Sequence, residues 1–425
     1  MRKIALICRQ RPSDWVSCRS ITQNLINSYS LEFPSAEIRQ FYMEESASFL
    51  DLDQLAEGIV SFKPDLIAIV DHKPHPAVLF ELLARKLKSW PRLVIHAFGD
   101  FTINPNEWLR MEELFRSAQP VFVGASEKQQ KLLRSFISGR VAWVPFPVDS
   151  SLFSFREGAY SGLRKEQGIS TSETILLYSG RLSLQKNVLL LMRAFAAYLR
   201  FNPQARLWLA GPIDDLGIPY IGKTPLTGLL AADLIELRDT LVADPDRERV
   251  QYLGDLEAAR LADLYAMADV FVSFSTHNDE DFGMAPAEAW CCGQQLLLSD
   301  WGGYSSFGGQ RPGSVDHIPV QISGRRIQPE LKACIKGMAS MASRNRTDAD
   351  RRNVSEGARE FCSCESVGRK IGDMVRNGSD SREPFSGFTQ AFEQLARAYR
   401  LNAKAPFRAA EGYSNLYREL YDSYF

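Results

Sequence analysis

The stretch Val270-Phe271-Val272-Ser273-Phe274-Ser275-Thr276-His277-Asn278-Asp279-Glu280-Asp281-Phe282-Gly283-Met284-Ala285-Pro286-Ala287-Glu288-Ala289-Trp290 changes character halfway along. It opens as a short apolar run of strand type, passes through a polar loop, and closes on a helix-forming segment. Pro286 is tolerated only in the first turn of a helix, so the helix starts near Gly283 or Met284. Glu280 then stands in the loop just ahead of a helix N-terminus, where the first backbone N–H groups lack helical partners. Glu288 lies more than a turn inside the same helix, among Ala285, Ala287, Ala289 and Trp290. A carboxylate in so apolar a setting needs a hydrogen-bonding partner, such as a hydroxyl-bearing ligand. The plainer alternative is a capping carboxylate followed by a solvated helix residue.

Working outward, the same strand–loop–helix rhythm recurs. Strands are expected at Lys3–Cys8, Asp65–Val70, Leu93–His96, Pro120–Val123 and Val141–Val144, and again at Thr174–Tyr178, Arg206–Ala210, Val250–Leu253 and Gln295–Ser299. Amphipathic stretches between them, such as Leu79–Leu87, Glu127–Phe136, Asn187–Leu199 and Leu256–Met267, supply crossover helices. Such alternation predicts doubly wound parallel sheets. Two prolines at Pro145 and Pro147 interrupt it, and the polar stretch from Asp149 to Ser172 follows. The fold class expected is therefore α/β, with two Rossmann-like domains facing a central cleft and a C-terminal helical extension. The boundaries are 1–150, 151–376 and 377–425. Two helices are expected in the extension, at Gln390–Leu401 and Ser414–Tyr424, with Phe392, Tyr399, Tyr413, Tyr417, Tyr421 and Tyr424 packing on a domain.

Two further strand-end loops carry chemistry. In Ser179-Gly180-Arg181-Leu182-Ser183-Leu184-Gln185-Lys186-Asn187, the glycine permits a sharp turn. Its two cations could meet an anion at a helix N-terminus, or could belong to a solvated basic turn. In Leu298-Ser299-Asp300-Trp301-Gly302-Gly303-Tyr304, the paired glycines allow backbone to approach a ligand or simply form a turn.

The 425 residues suit two domains, and 50 basic against 51 acidic residues, a net charge of −1, argue against nucleic acid as a main partner. The seven cysteines form no disulfide framework and read as reduced, buried small hydrophobes. Met1–Cys8 is too short for a signal peptide and no run of membrane-spanning length occurs. The expected location is cytoplasmic, with peripheral contact at the inner membrane face open through the basic, aromatic segment Arg85–Arg92. Asp279-Glu280-Asp281 imitates a metal-holding Asp-x-Asp signature; the nearby cations make that coincidental, and no metal and no cofactor is expected.

Together these pieces resemble the family-4 retaining glycosyltransferases of the GT-B fold. The resemblance rests on Tyr178–Asn187, Leu209-Ala210-Gly211-Pro212, Tyr252-Leu253-Gly254-Asp255, Leu264–Val272, Glu280–Ala289 and Trp301-Gly302-Gly303. It covers roughly residues 174–305, with a looser match before that. It implies that Arg181 and Lys186 hold and stabilise a departing diphosphate, and that Glu280 contacts the donor sugar beside the amides of Phe282, Gly283 and Met284. It further implies that Glu288 binds the ribose, that Gly180, Gly211 and Leu253 border the nucleotide, and that His96 lies near sugar and acceptor. The partners implied are a nucleotide-sugar donor and a glycan, lipid-linked or small-molecule acceptor. Asp100 is a weaker candidate, and His72 and His75 have no case beyond proximity. The chain departs from the family in its first loop, Arg9–Trp15, which lacks glycine and leaves Arg9, Arg11 or Trp15 for the acceptor. Other departures are a long segment at Asp214–Leu229 and Pro147 before Asp149. A nicotinamide dehydrogenase is disfavoured because no Gly-x-Gly-x-x-Gly follows an early strand. A non-catalytic binding or scaffold protein on the same fold is the remaining alternative.

Overall fold

The computed structural model describes the chain except residues 10–15, 45, 72–75, 99–100, 103, 214–227, 279, 310–312, 324–325, 345, 378–382, 402–407, 410–411 and 414. The expectations placed on Arg11, Trp15, His72, His75, Asp100, Asp279 and most of the 214–229 segment lie outside the described residues.

The chain forms two compact units. The first comprises Met1–Pro147 with Cys362–Ala403, the second Val148–Phe361 with Lys404–Phe425. In the first unit, β1 (Lys3–Cys8), β2 (Glu37–Tyr42), β3 (Leu66–Ile69), β4 (Arg92–His96), β5 (Val121–Gly124) and β7 (Val141–Trp143) form one parallel sheet in the order β2-β1-β3-β4-β5-β7. The short β6 (Ile137–Ser138) instead pairs antiparallel with Gly387–Phe388. In the second unit, β8 (Thr174–Ser179), β9 (Ala205–Ala210), β10 (Val250–Gly254), β11 (Val270–Ser273), β12 (Gln295–Ser299) and β13 (Val315–Ile318) run parallel in the order β10-β9-β8-β11-β12-β13. The central strands are buried on both faces, which is why they read as unbroken apolar runs.

The division differs from the sequence boundaries at three places. The first unit ends at Pro147, at the proline pair rather than at 150. The helix Cys364–Asn377, assigned by sequence to the second domain, belongs to the first. It lies against the helix Val16–Glu32, where Gly368 approaches so closely that a Cβ would fall 2.7 Å from the Ser28 carbonyl oxygen. Arg376 pairs with Glu32 beside it. The extension is likewise shared. Phe392, on the helix Gln390–Leu401, is buried against Phe101, Phe136 and Phe388 in the first unit. The last helix, Asn415–Leu420, belongs to the second.

In the second unit Asp269 ties the sheet to its flanking helices. It accepts the Ile175 N–H at 2.7 Å and pairs with the buried Arg164 at 2.5 Å. All seven cysteines are free and buried. Among the described residues, no helix is long and apolar enough to cross a membrane.

Candidate functional site

The strand order of the second sheet reverses between β8 and β11. In open α/β sheets such a switch point, at the carboxyl ends of the strands, is where ligands bind. The loops leaving β8 and β11 are the ones carrying Arg181–Lys186 and Glu280.

Asn187 joins them. It adopts a left-handed backbone (φ 54°), which asparagine tolerates better than most residues. Its Nδ2 donates to the Phe274 carbonyl at 2.8 Å and to Thr276 Oγ1 at 3.0 Å. The Thr276 N–H in turn donates to the Gln185 carbonyl. With the loops so pinned, Lys186 Nζ stands 2.5 Å from Glu280 Oε2, the carboxylate being buried. Arg181 is held through its carbonyl, which accepts from the Tyr178 hydroxyl at 2.7 Å. The buried His277 registers both cations. Burial first, then Lys186 and Arg181, hold its imidazole well below the usual histidine range. Neither Asn187 nor His277 was singled out from sequence, although an asparagine between a turn and a helix is a recognisable left-handed signal.

The glycines crowd the same strand ends. Gly180 N–H donates to the Ala210 carbonyl, and Gly211 N–H to that of Gly254. Gly211 has φ 123°, and a Cβ there would fall 2.2 Å from the Gly180 carbonyl oxygen, so no other residue fits. Leu253 lines a hollow of about 350 Å³ with Arg206, Trp208, Gln251 and Arg260; this hollow shares no residue with the Lys186–Glu280 cluster.

The helix Met284–Cys291 starts after Gly283, and Phe282 and Met284 are buried. The Phe282 ring packs on Phe307 and Phe361. The Phe282 nitrogen lies against Gly303, where a Cβ would come within 2.3 Å of it. Glu288 is buried, and burial pushes its carboxyl up to about 8, against a smaller opposing effect from Tyr265. The Tyr265 hydroxyl donates to Glu288 Oε2 at 3.3 Å and lies 2.7 Å from Ser179 Oγ. The hydroxyl partner anticipated for Glu288 is thus present within the protein itself.

Glu280 is engaged by Lys186 and Asp281 by the Tyr424 hydroxyl. Among the described residues no group of three or more His, Cys, Asp or Glu side chains is placed to hold a metal.

In the first unit, His96 ends β4 and is buried, its Nε2 3.0 Å from the Tyr29 hydroxyl. Burial lowers its pKa to about 3, so the imidazole is neutral at ordinary pH. The reversal of this sheet falls between β1 and β3. There Arg9 Nε pairs with Asp71 at 3.1 Å, and both side chains are largely buried. The segment Arg85–Arg92 is less cationic than its sequence suggests: Lys86 is neutralised by Asp53 and Glu57, and Trp90 packs edge-on against Phe80.

Two six-stranded parallel sheets, with a cation–carboxylate cluster at the switch point of the second, give the chain the GT-B fold of the solved structures it resembles. Residues 161–309 match the family model described as Glycosyl transferases group 1. The chain is 24% identical over 287 residues to the D-inositol 3-phosphate glycosyltransferase of Geodermatophilus obscurus, covering 68% of this chain and 56% of that protein. It is 21% identical over 231 residues to the lipopolysaccharide 1,2-N-acetylglucosaminetransferase of Salmonella typhimurium, covering 53% and 54%. The chain thus spans about half the length of these relatives. Among solved structures, Anabaena HepE in complex with UDP and glucose is similar with a TM-score of 0.60 at 17% identity, covering 88% of this chain and 99% of that one. WaaG, a glycosyltransferase involved in lipopolysaccharide biosynthesis, is similar with a TM-score of 0.54 at 13% identity, covering 88% and 100%.

Proposed function

We propose that this chain is a retaining glycosyltransferase that moves a sugar from a nucleoside-diphosphate sugar to a hydroxyl of a glycan, lipid-linked or small-molecule acceptor. The observation that carries the reading is the Lys186–Glu280 contact at the switch point of the second sheet. It joins a cation suited to a diphosphate and a carboxylate suited to sugar hydroxyls in one cluster. HepE, of the same fold, is seen with UDP and with glucose, which supports the choice of donor class.

The barrier to transfer lies in breaking the bond from the anomeric carbon to the diphosphate. Negative charge gathers on the departing oxygens as positive charge grows on the sugar. In this reading Lys186 and Arg181 stabilise the leaving diphosphate, a preorganised electrostatic effect that is commonly the largest single contribution to catalysis. Glu280 orients the sugar beside the Phe282–Met284 backbone, and Glu288 takes the ribose hydroxyls. Gly180 and Gly211 keep the strand ends free of side chains where the nucleotide lies, and Leu253 borders the base. His96 enters as a neutral hydrogen-bonding group, not as a cation, and Arg9 as a group on the acceptor side. The two cations supply the charge that a divalent metal would otherwise bring, so the reaction proceeds without an essential metal. Action in the cytoplasm, with Arg85 and Lys88 meeting the inner membrane face, belongs to the same proposal.

The test is a panel of UDP-, GDP- and ADP-sugars read by thermal unfolding. A donor at about 100 times its dissociation constant adds roughly 2.7 kcal/mol to the unfolding free energy. A flat response across the panel removes the reading. Turnover of the donor so identified persists in excess chelator; loss there, with rescue by manganese, would return the Asp279–Asp281 carboxylates to a metal-binding role. The pH profile of turnover carries no inflection from His96 between pH 5 and 8, because its pKa has been pushed to about 3.

A further inference from the structure

The loop that carries Glu280 is not held by its own strand and helix alone. The third strand-end loop clamps it through backbone contacts. Gly303 N–H donates to the Glu280 carbonyl at 2.6 Å, and Trp301 Nε1 donates to the His277 carbonyl at 2.7 Å. Gly302 is so close that a Cβ would fall 2.6 Å from the Glu280 carbonyl oxygen and 3.0 Å from the Tyr424 ring.

That second contact brings in the last residues of the sequence. Tyr424 is fully buried, and its hydroxyl donates to Asp281 Oδ1 at 2.9 Å. The Trp301 ring meets Tyr424 edge-on at 5.7 Å and Phe425 edge-on at 4.9 Å. Behind Tyr424 stand Tyr421, at 5.5 Å, and Tyr417, stacked on Tyr421 at 4.6 Å, both fully buried. Two aromatic rings of this short segment, Tyr424 and Phe425, thus meet Asp281, Trp301 and Gly302, the residues next to Glu280 in sequence or in space, and Tyr421 and Tyr417 pack behind Tyr424. An anchor serving only to tether the segment would need apolar burial alone. A buried phenol aimed at a buried carboxylate adds a directional bond to the residue following Glu280.

We infer that the segment Asn415–Phe425 is a working part of the donor-sugar subsite, with Tyr424 a positioning residue that fixes Glu280 through Asp281 and Gly302. This inference rests on the donor reading proposed above. Its specific content is that Tyr424 governs recognition of the sugar and leaves recognition of the nucleotide to Lys186, Arg181 and Glu288.

Tyr424→Phe keeps the ring and deletes the hydroxyl, and two readouts decide the matter. The first is backbone hydrogen exchange at residues 280–284 without ligand. A hydrogen bond to a charged group holds that loop, so exchange there rises about tenfold or more while exchange in β8 and β12 is unchanged. The second compares affinity for the nucleotide sugar with affinity for the bare nucleoside diphosphate. The first falls about tenfold and the second holds, whereas general loosening of the unit would weaken both alike. Tyr424→Ala extends both effects where it folds; Tyr424→Phe decides where it does not. Unaltered exchange at 280–284, or equal loss of both affinities, overturns the inference. Failure of the donor reading is distinct from this, because it shows as a wild-type chain that binds no nucleotide sugar. In that event the exchange measurement still decides whether Tyr424 braces the loop.

Discussion

Replacing Lys186 with alanine is expected to cut sugar-transfer turnover by a factor of about 10²–10³ while the chain remains folded, the usual cost of removing one preorganised donor from a developing oxyanion. Arg181→Ala is expected to act in the same direction. The two cations differ in setting. Lys186 is paired with Glu280 at 2.5 Å, so removing it leaves a buried carboxylate without its counter-ion. An unpaired buried carboxylate draws its loop out of place, which costs stability as well as rate. The combination Lys186→Ala with Glu280→Gln removes both charges and restores most of the stability, but restores none of the turnover. Initial rates with the donor that stabilises the wild type, alongside circular dichroism and thermal midpoints, separate the two losses. Unchanged turnover in both single variants would end the assignment of this cluster to the leaving diphosphate.

The sequence reveals this cluster because the residue types needed for it are compact and local. Each candidate loop follows an apolar strand and opens a helix, and in a doubly wound sheet that alone places it at the carboxyl end. Of the two large sheets, the strands hidden from a sequence reading are one edge strand of each. Glu37–Tyr42 and Val315–Ile318 are paired on one side only and carry mostly polar, part-exposed residues that break the apolar pattern, whereas Val141–Trp143 and Val250–Gly254, at the opposite edges, keep enough apolar residues to be read. The contacts that complete the site were hidden for another reason. Asn187 to Phe274, Tyr265 to Glu288 and Tyr424 to Asp281 span 87, 23 and 143 positions. No local period reports such distances. His96 shows the same limit from the other side. Its place at a strand end was legible, but its burial against Tyr29, 67 positions away, was not. The division of the chain likewise followed the proline pair, yet nothing local to Cys364–Asn377 announced that it packs on Val16–Glu32 rather than on the preceding unit.

Glu288 yields the second large effect, and its stability and binding consequences have opposite signs. Its carboxyl is pushed up to about 8 by burial, from 4.5 in an exposed chain. Between those values the folded protein keeps a proton that the unfolded chain has released, so stability falls as pH rises from about 4.5 to about 8 and is level above that. At about 1.4 kcal/mol per unit the loss amounts to a few kcal/mol. Glu288→Gln removes the titration while its carbonyl still accepts from Tyr265. The variant is therefore expected to unfold several degrees above the wild type at pH 9, with the two converging toward pH 5. The same change deletes the charged acceptor proposed for the ribose, so nucleotide affinity falls about 10- to 100-fold. Binding that favours the ionised carboxylate also expels a proton from the wild type at pH 7, visible by calorimetry in buffers of different ionisation enthalpy and missing from the variant. Parallel stability curves from pH 5 to 9 would mean that Glu288 is already ionised in the folded chain. A more stable variant with undiminished nucleotide affinity would mean that the buried acid serves Tyr265 alone. A gain in stability coupled to a loss in affinity is the outcome that only a carboxylate kept buried for its ligand produces, since a purely structural acid at that position would give up nothing by becoming an amide.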